Sequence, residues 1–274
     1  MGLFQSFNIS ASGMTAQQFR ADIIAQNLAN VNTTGYKTEV ANFKSLLYQT
    51  LQTKTTTANG ENKPVGAQVG LGVRNSSISS IFGQGAFQDS ESTTDFAISG
   101  KGLFAVMGDD GNTYYTRNGN FFLSTNDGGG LTLCTSDGYP VLSTTGREIS
   151  FNRNYTASNL SVSEEGEFYY PDEDNNPQPL GITSGLYQFN NPTGLDKIGG
   201  SYYQETTASG EPINEARSTN IEKSTIVQGY LERSNVQVVD EMVNMIVAQR
   251  AYEMNSKAIT TSDEMMQQAN NLKR

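Results

Sequence analysis

The sequence predicts an α+β chain, with one long helix at each end and an antiparallel β-rich middle. Two observations carry this. Apolar residues recur at spacings of three and four near both termini. At the start they are Phe7, Met14, Ala21, Ile24, Leu28 and Val31; at the end Val236, Val239, Val243, Val247, Ala251, Met254, Ala258, Met265 and Leu272. Between them, short alternating runs are interrupted by Asn59-Gly60, Asp110-Gly111, Asn118-Gly119, Asp127-Gly128 and Asp137-Gly138. Such pairs supply the positive φ of tight hairpins, and so favour antiparallel sheet over βαβ units. The chain divides on this reading into an N-terminal helical segment 1–48, an extended connector 49–84, a β-rich body 85–215 and a C-terminal helical segment 216–274.

The first helix is expected from about Phe4 to Val31, ended by the turn chemistry of Asn32-Thr33-Thr34-Gly35. Ser10 and Gln17 interrupt its heptad seam, and Gly13 weakens its interior. So short a seam is marginal in water and needs a partner. Residues 36–48 read ambiguously, with Phe43, Leu46 and Leu47 able to continue a short helix. The Thr-rich stretch that follows, with Pro64 and Gly66, reads as a connector.

Strands are expected at Phe96–Ile98, Leu103–Val106, Tyr114–Thr116, Phe121–Leu123, Leu160–Val162, Phe168–Tyr170 and Leu186–Phe189, with a polar loop at 172–179. The last helix carries a capping-box pattern in Ser234 and Gln237, with Asp240 and Glu241 suited to its positive end. Lys273 and Arg274 suit its negative end, and Glu253 precedes Lys257 in the favoured i,i+4 order. Thr261 and Gln268 alone break its seam, which would extend about 55 Å at 1.5 Å per residue. Placement at the extreme termini, and length beyond local need, mark both seams as an assembly interface pairing in a coiled-coil-like layer. Head-to-tail contacts that do not close propagate into a fibre.

Composition points away from chemistry. Acidic residues outnumber basic ones 28 to 18, a surface that repels nucleic acid and anionic lipid. No stretch has the roughly 20 apolar residues of a bilayer helix. The first residues lack a Sec-type signal, and Gly2 with Ser6 matches the myristoylation pattern only loosely. Histidine is absent, which removes the commonest general base and zinc ligand. The single cysteine, Cys134, lies in a strand-like run and reads as a small buried hydrophobe. Asp172-Glu173-Asp174 opens like a calcium loop, but Pro177 and Thr183 stand where glycine and glutamate are needed. Gly70-Leu71-Gly72 and 128–130 lack the strand-to-helix context of a phosphate loop. Asn154-Tyr155-Thr156 is an uninformative glycosylation triplet, and the absence of tryptophan removes the usual sugar-stacking platform. No catalytic, cofactor or metal residues are therefore assigned.

Ala25–Lys37 (AQNLANVNTTGYK) closely resembles the N-terminal signature of bacterial flagellar rod and hook proteins. Ser234–Val243 (SNVQVVDEMV) and Gln249–Lys257 (QRAYEMNSK) are similar to the family's C-terminal signature. Asp95–Phe104, Tyr115–Gly119 and Asn191–Leu195 resemble three elements between them. Length and the connector from Tyr48 to Val73 are most similar to the distal rod type of basal-body rod protein; the departures are threonines at 53–57 and Leu103 where phenylalanine is usual. The resemblance implies a hollow helical homopolymer, exported through the flagellar secretion apparatus without a cleaved signal. It implies a drive shaft outside the cytoplasmic membrane that passes torque from motor to hook and conducts exported subunits. Its neighbours would be proximal rod and hook subunits. A proximal rod or short hook subunit is the alternative within the class, and a secreted β-rich adhesin or carbohydrate-binding protein the alternative outside it.

Overall fold

The computed structural model describes residues 2–52, 67–126, 129–153, 155–172 and 176–272. The expectations for residues 53–66, Asp127-Gly128, Asn154, Glu173, Asp174, Lys273 and Arg274 lie outside these residues. By its internal contacts the chain forms two compact units. One gathers residues 1–28, 39–79 and 237–274; the other, residues 29–38 and 80–236.

The first unit holds the two helices, α1 (Gly2–Ala29) and α2 (Val238–Asn271), and a two-stranded ribbon. The ribbon comprises β1 (Glu39–Ser45), β2 (Tyr48–Gln52), β3 (Ala67–Gly70) and β4 (Val73–Ser80), with β1 beside β4 and β2 beside β3. The stretch that could have continued a helix is thus a strand. Its burial alternates from Glu39 through Ala41 to Phe43, the period-two signature of a strand with one covered face. The ribbon also occupies the described part of the expected connector. It docks on α1: the Ser12 hydroxyl receives Val73 N–H at 3.3 Å, and Asn27 exchanges two 2.9 Å hydrogen bonds with the Glu39 backbone.

The capping box at Ser234 does not form. The Ser234 hydroxyl instead accepts from Val236 N–H at 3.3 Å, and Gln237 begins α2 without a side-chain cap. The helix starts three residues later than the box requires, with the extended Gln237 (φ −98°, ψ 109°) in the N-cap position. Asp240 and Glu241 do stand in the first turn, where carboxylates favour the positive terminus.

The second unit is antiparallel β throughout its named pairs. Its strands are β5 (Phe87–Asp89), β6 (Phe96–Ser99), β7 (Leu103–Met107), β8 (Thr113–Thr116), β9 (Phe121–Thr125), β10 (Leu131–Thr135) and β11 (Ser150–Phe151). There follow β12 (Ser161–Val162), β13 (Glu167–Pro171), β14 (Pro177–Thr183), β15 (Leu186–Gln188), β16 (Asp196–Gly199), β17 (Tyr202–Gln204), β18 (Ile213–Asn214), β19 (Thr225–Gln228) and β20 (Tyr230–Glu232). The main sheet runs β16-β17-β8-β7-β15-β18. Side chains alternate across it: Phe104, Val106 and Tyr202 enter one core, Leu103, Ala105, Tyr115 and Tyr203 the other. Strand β7 is therefore apolar at every position because both its faces are covered. Edge-to-face ring pairs such as Phe104–Phe121, 5.1 Å between centroids, fix the larger core.

Three sequence expectations are corrected here. Residues 225–232, expected within the helical end, are strands paired to β6 and β5. The polar loop is shorter than expected, because Pro177–Pro179 belongs to β14. Asp110-Gly111 does turn a hairpin, from β7 to β8, with Gly111 at φ +77°. Asn118-Gly119 does not: Gly119 lies where an added Cβ would meet the Phe96 carbonyl at 1.7 Å, so its role is close approach.

Candidate assembly surface

The two helices run antiparallel and touch through small and polar side chains. Ser6 and Ser262 hydroxyls stand 3.4 Å apart, and Arg20 Nη2 donates to Asn244 Oδ1 at 3.3 Å. Gly13 lies against Asn255, so close that an added Cβ would come within 2.8 Å of its amide. The residues of α2 buried in the chain are Glu241, Ala248 and Ser262, which with half-buried Asn255 form a seven-residue series. This series of small and polar residues, more than the apolar seam, is what α2 turns to its own chain.

Most of the apolar seam of α2 points elsewhere, as does part of that of α1. At 100° per residue, Val239, Val243, Ile246, Val247 and Met254 all fall within about 60° of the direction opposite Glu241. Val239, Val243, Val247, Met254 and Met265 are 47–73% exposed. Ala258 and Leu272 are exposed and Ala251 half-buried. On α1 the buried side carries Ala16, Ile23, Ile24 and Asn27. Phe7, Met14, Ala21 and Leu28 step by sevens along the far side, about 120–180° from Ala16. Phe7 and Leu28 are exposed, and Met14 and Ala21 half-buried. Ile24 and Val236 are buried, and Val31 lies half-buried in the turn after α1.

Sequence reading missed a second feature. Within the β unit, Glu232 is 1% exposed and joins two buried cations. Its carboxylate accepts Lys37 Nζ at 2.7 Å, Arg117 Nε at 2.5 Å and Gly85 N–H at 2.7 Å. Lys37 also donates to the Gly83 carbonyl at 2.7 Å. Arg117 spends its remaining donors on Gly102, Gly100 and Ile98 carbonyls and Gln84. Burial pushes the Lys37 ammonium below the usual lysine range, opposed by the attraction of Glu232. Nearby, Asn235 accepts the Thr38 N–H and hydroxyl, both at 2.8 Å, and donates to Ile81 and Gly83 carbonyls. Residues 29–38 and 230–235 are thus fastened to the same unit by one carboxylate and one amide. Hydrophobic periodicity cannot reveal such groups; charged residues inside otherwise polar signature runs were the only trace.

Among the described residues no group of three or more His, Cys, Asp or Glu could hold a metal ion. Among the same residues no helix is long and apolar enough to cross a membrane. Cys134 is buried and its thiol pushed up by burial, then by Glu148, which disfavours the reactive thiolate. Cavities of the β unit include one of about 510 Å3 beside Glu164, Glu165, Glu167 and Glu215. There Glu215 is satisfied by Ser224 N–H and hydroxyl and by Gln188.

Three family models match along the chain. They are a flagellar basal-body rod protein model over residues 7–37, a flagellar hook FlgE/F/G D1 domain over 97–170, and a basal-body rod FlgEFG C-terminal model over 227–272. The chain is 44% identical to the flagellar basal-body rod protein FlgG of Borreliella burgdorferi, covering 97% of each. It is 38% identical to FlgG of Bacillus subtilis, over 99% of this chain and all of the relative. To the flagellar hook-basal body complex protein FlhP of Bacillus subtilis it is 30% identical over 96% of its length. With the family shown over nearly its whole length, the chain belongs to the flagellar basal-body rod proteins, and is a structural, non-enzymatic subunit of the rod in the flagellar basal body.

Proposed function

We propose that the chain builds the distal rod by polymerising with copies of itself into a hollow helical shaft. The outward seams of α1 and α2, together with Ile24, Val31 and Val236, form its assembly layer. One observation carries this reading: α2 turns Glu241, Ala248, Asn255 and Ser262 to its own chain and leaves its apolar stripe uncovered, as α1 leaves Phe7 and Leu28. Covering a valine or methionine of that stripe is worth about 1.5–3 kcal/mol when complete, so a row of them favours association strongly. Contiguous exposed apolar surface of this kind marks an interaction site.

The family's setting extends the reading. Other rod and hook components assemble with the chain, the proximal rod below and the hook above. The shaft lies outside the cytoplasmic membrane, receives its subunits from the flagellar export apparatus, transmits torque and conducts exported subunits. The β unit, with two cores and a buried ion cluster, supplies the rigid part.

The test is polymerisation of purified chain, read by electron microscopy and sedimentation, beside a variant in which Val243, Val247 and Met254 become Ser. The wild type is expected to form tubes and the triple variant to stay monomeric. A triple variant that assembles like the wild type, or a wild type that stays solitary at high concentration, would overturn the proposal.

A further inference from the structure

In the helical unit α1, β1 and the start of α2 enclose a cavity of about 200 Å3. Ile23, Ile24, Val40 and Phe43 give it apolar walls, and Glu39 and Glu241 bring it two carboxylates against the single cation of Arg20. Glu241 is more than nine-tenths buried, and its Oε2 has no hydrogen-bond partner among the described residues. A buried carboxylate oxygen without a donor is costly, so the assembled protein is expected to supply one. Arg20 is at hand but donates instead to Asn244 Oδ1. The group that fits this cavity is a cation carried on an apolar surface.

The chain itself presents such a surface. Arg250 falls about 180° from Glu241 around α2, in the middle of the uncovered stripe between Val243, Ile246, Val247 and Met254. Its only ion pair among the described residues is with Glu253 at 2.7 Å, and both side chains are well exposed. Exposed pairs of this kind contribute about 0–1 kcal/mol, so Arg250 is free to exchange partners. Apolar walls with an acidic floor match an apolar helix face with one central guanidinium.

We propose that Glu241 of one copy receives the Arg250 guanidinium of a second copy, so that this ion pair sets the register between neighbouring subunits. The inference rests on the polymer reading above and names the partner group for one of its contacts. A buried charge pair is better suited to fixing register than to adding stability.

The experiment is a charge exchange in the full chain, with assembly measured as the critical concentration for polymer. Circular dichroism checks that each variant keeps the wild-type helix and sheet content. Glu241→Arg and Arg250→Glu alone are each expected to raise the critical concentration more than tenfold, and the double variant to return within threefold of wild type. Glu241→Gln, which keeps shape and an acceptor, should give an intermediate rise. A second arm joins Glu241→Cys with Arg250→Cys and treats the polymer with a short bismaleimide that spans the length of the lost ion pair; covalent ladders of dimers and higher species are expected. The inference is overturned if the double exchange is no better than the worse single variant, if Arg20→Glu rescues Glu241→Arg instead, or if no ladder forms. Should the wild type itself fail to polymerise, the polymer reading falls first, a result distinct from failure of the exchange.

Discussion

Replacing Glu232 by alanine tests the ion cluster of the β unit most directly. The residue is fully enclosed and answers three donors, two of them cationic. Its removal leaves Lys37 and Arg117 buried with like charge and no counter-ion. Breaking a buried pair in this way costs about 3–5 kcal/mol, a large share of the roughly 5–15 kcal/mol that holds a domain folded. In a domain of this size each kcal/mol shifts the melting midpoint by about 2–4 °C, so a fall of roughly 6–20 °C is expected. Lys37→Met should cost only about 1–2 kcal/mol, because Glu232 keeps Arg117 and the Gly85 N–H while a similar stem fills the space. Thermal unfolding followed by the near-ultraviolet signal of the tyrosines gives both numbers, since the chain has no tryptophan. A loss under about 1 kcal/mol for Glu232→Ala, or a larger loss for Lys37→Met, would refute the reasoning from desolvated charge.

Further expectations follow from the same geometry. Burial depresses the Lys37 pKa, so between that lowered value and 10.5 the unfolded chain binds more protons, and stability should rise with pH across that window. Buried Tyr115 and Tyr202, whose ionisation is pushed up, act with the opposite sign above pH 10; comparison with Lys37→Met isolates the lysine, and identical pH profiles would refute its role. Leu28→Asp, on the outward side of α1, should leave the monomer's helical signal intact and abolish assembly, whereas Ile24→Asp buries a charge and should also lower helix content. Equal circular dichroism losses for both would remove the distinction between the two faces. Hydroperoxide should oxidise exposed Met242, Met254 and Met265 of the monomer before half-buried Met245 and Met266, and polymer should protect Met254 and Met265 of the outward stripe. Peptide mass spectrometry reads the order, and unchanged oxidation in tubes would contradict burial of that face.

The sequence by itself determined the two helices, the hairpin at Asp110-Gly111, the strands of the body and the family. Each is written in neighbouring residues: a three-to-four spacing, a turn dipeptide, an alternating run or a signature such as Ala25–Lys37. It also marked an apolar periodicity at both ends, because spacing reports which residues share a face, although Ile24 and Val236, counted in the same seams, are buried. Which way that face points was decided only by the tertiary structure. Periodicity is blind to direction, and here Ser6 meets Ser262, Gly13 meets Asn255 and Glu241 is buried, while Val243 and Met254 remain outside. The ribbon of β1 to β4 and the closure of β19 and β20 onto β6 and β5 likewise depend on long-range pairing. So does the meeting of Lys37, Arg117 and Glu232: a charge separated by more than a hundred residues from its partner leaves no local pattern, and only folding brings the three into one desolvated site.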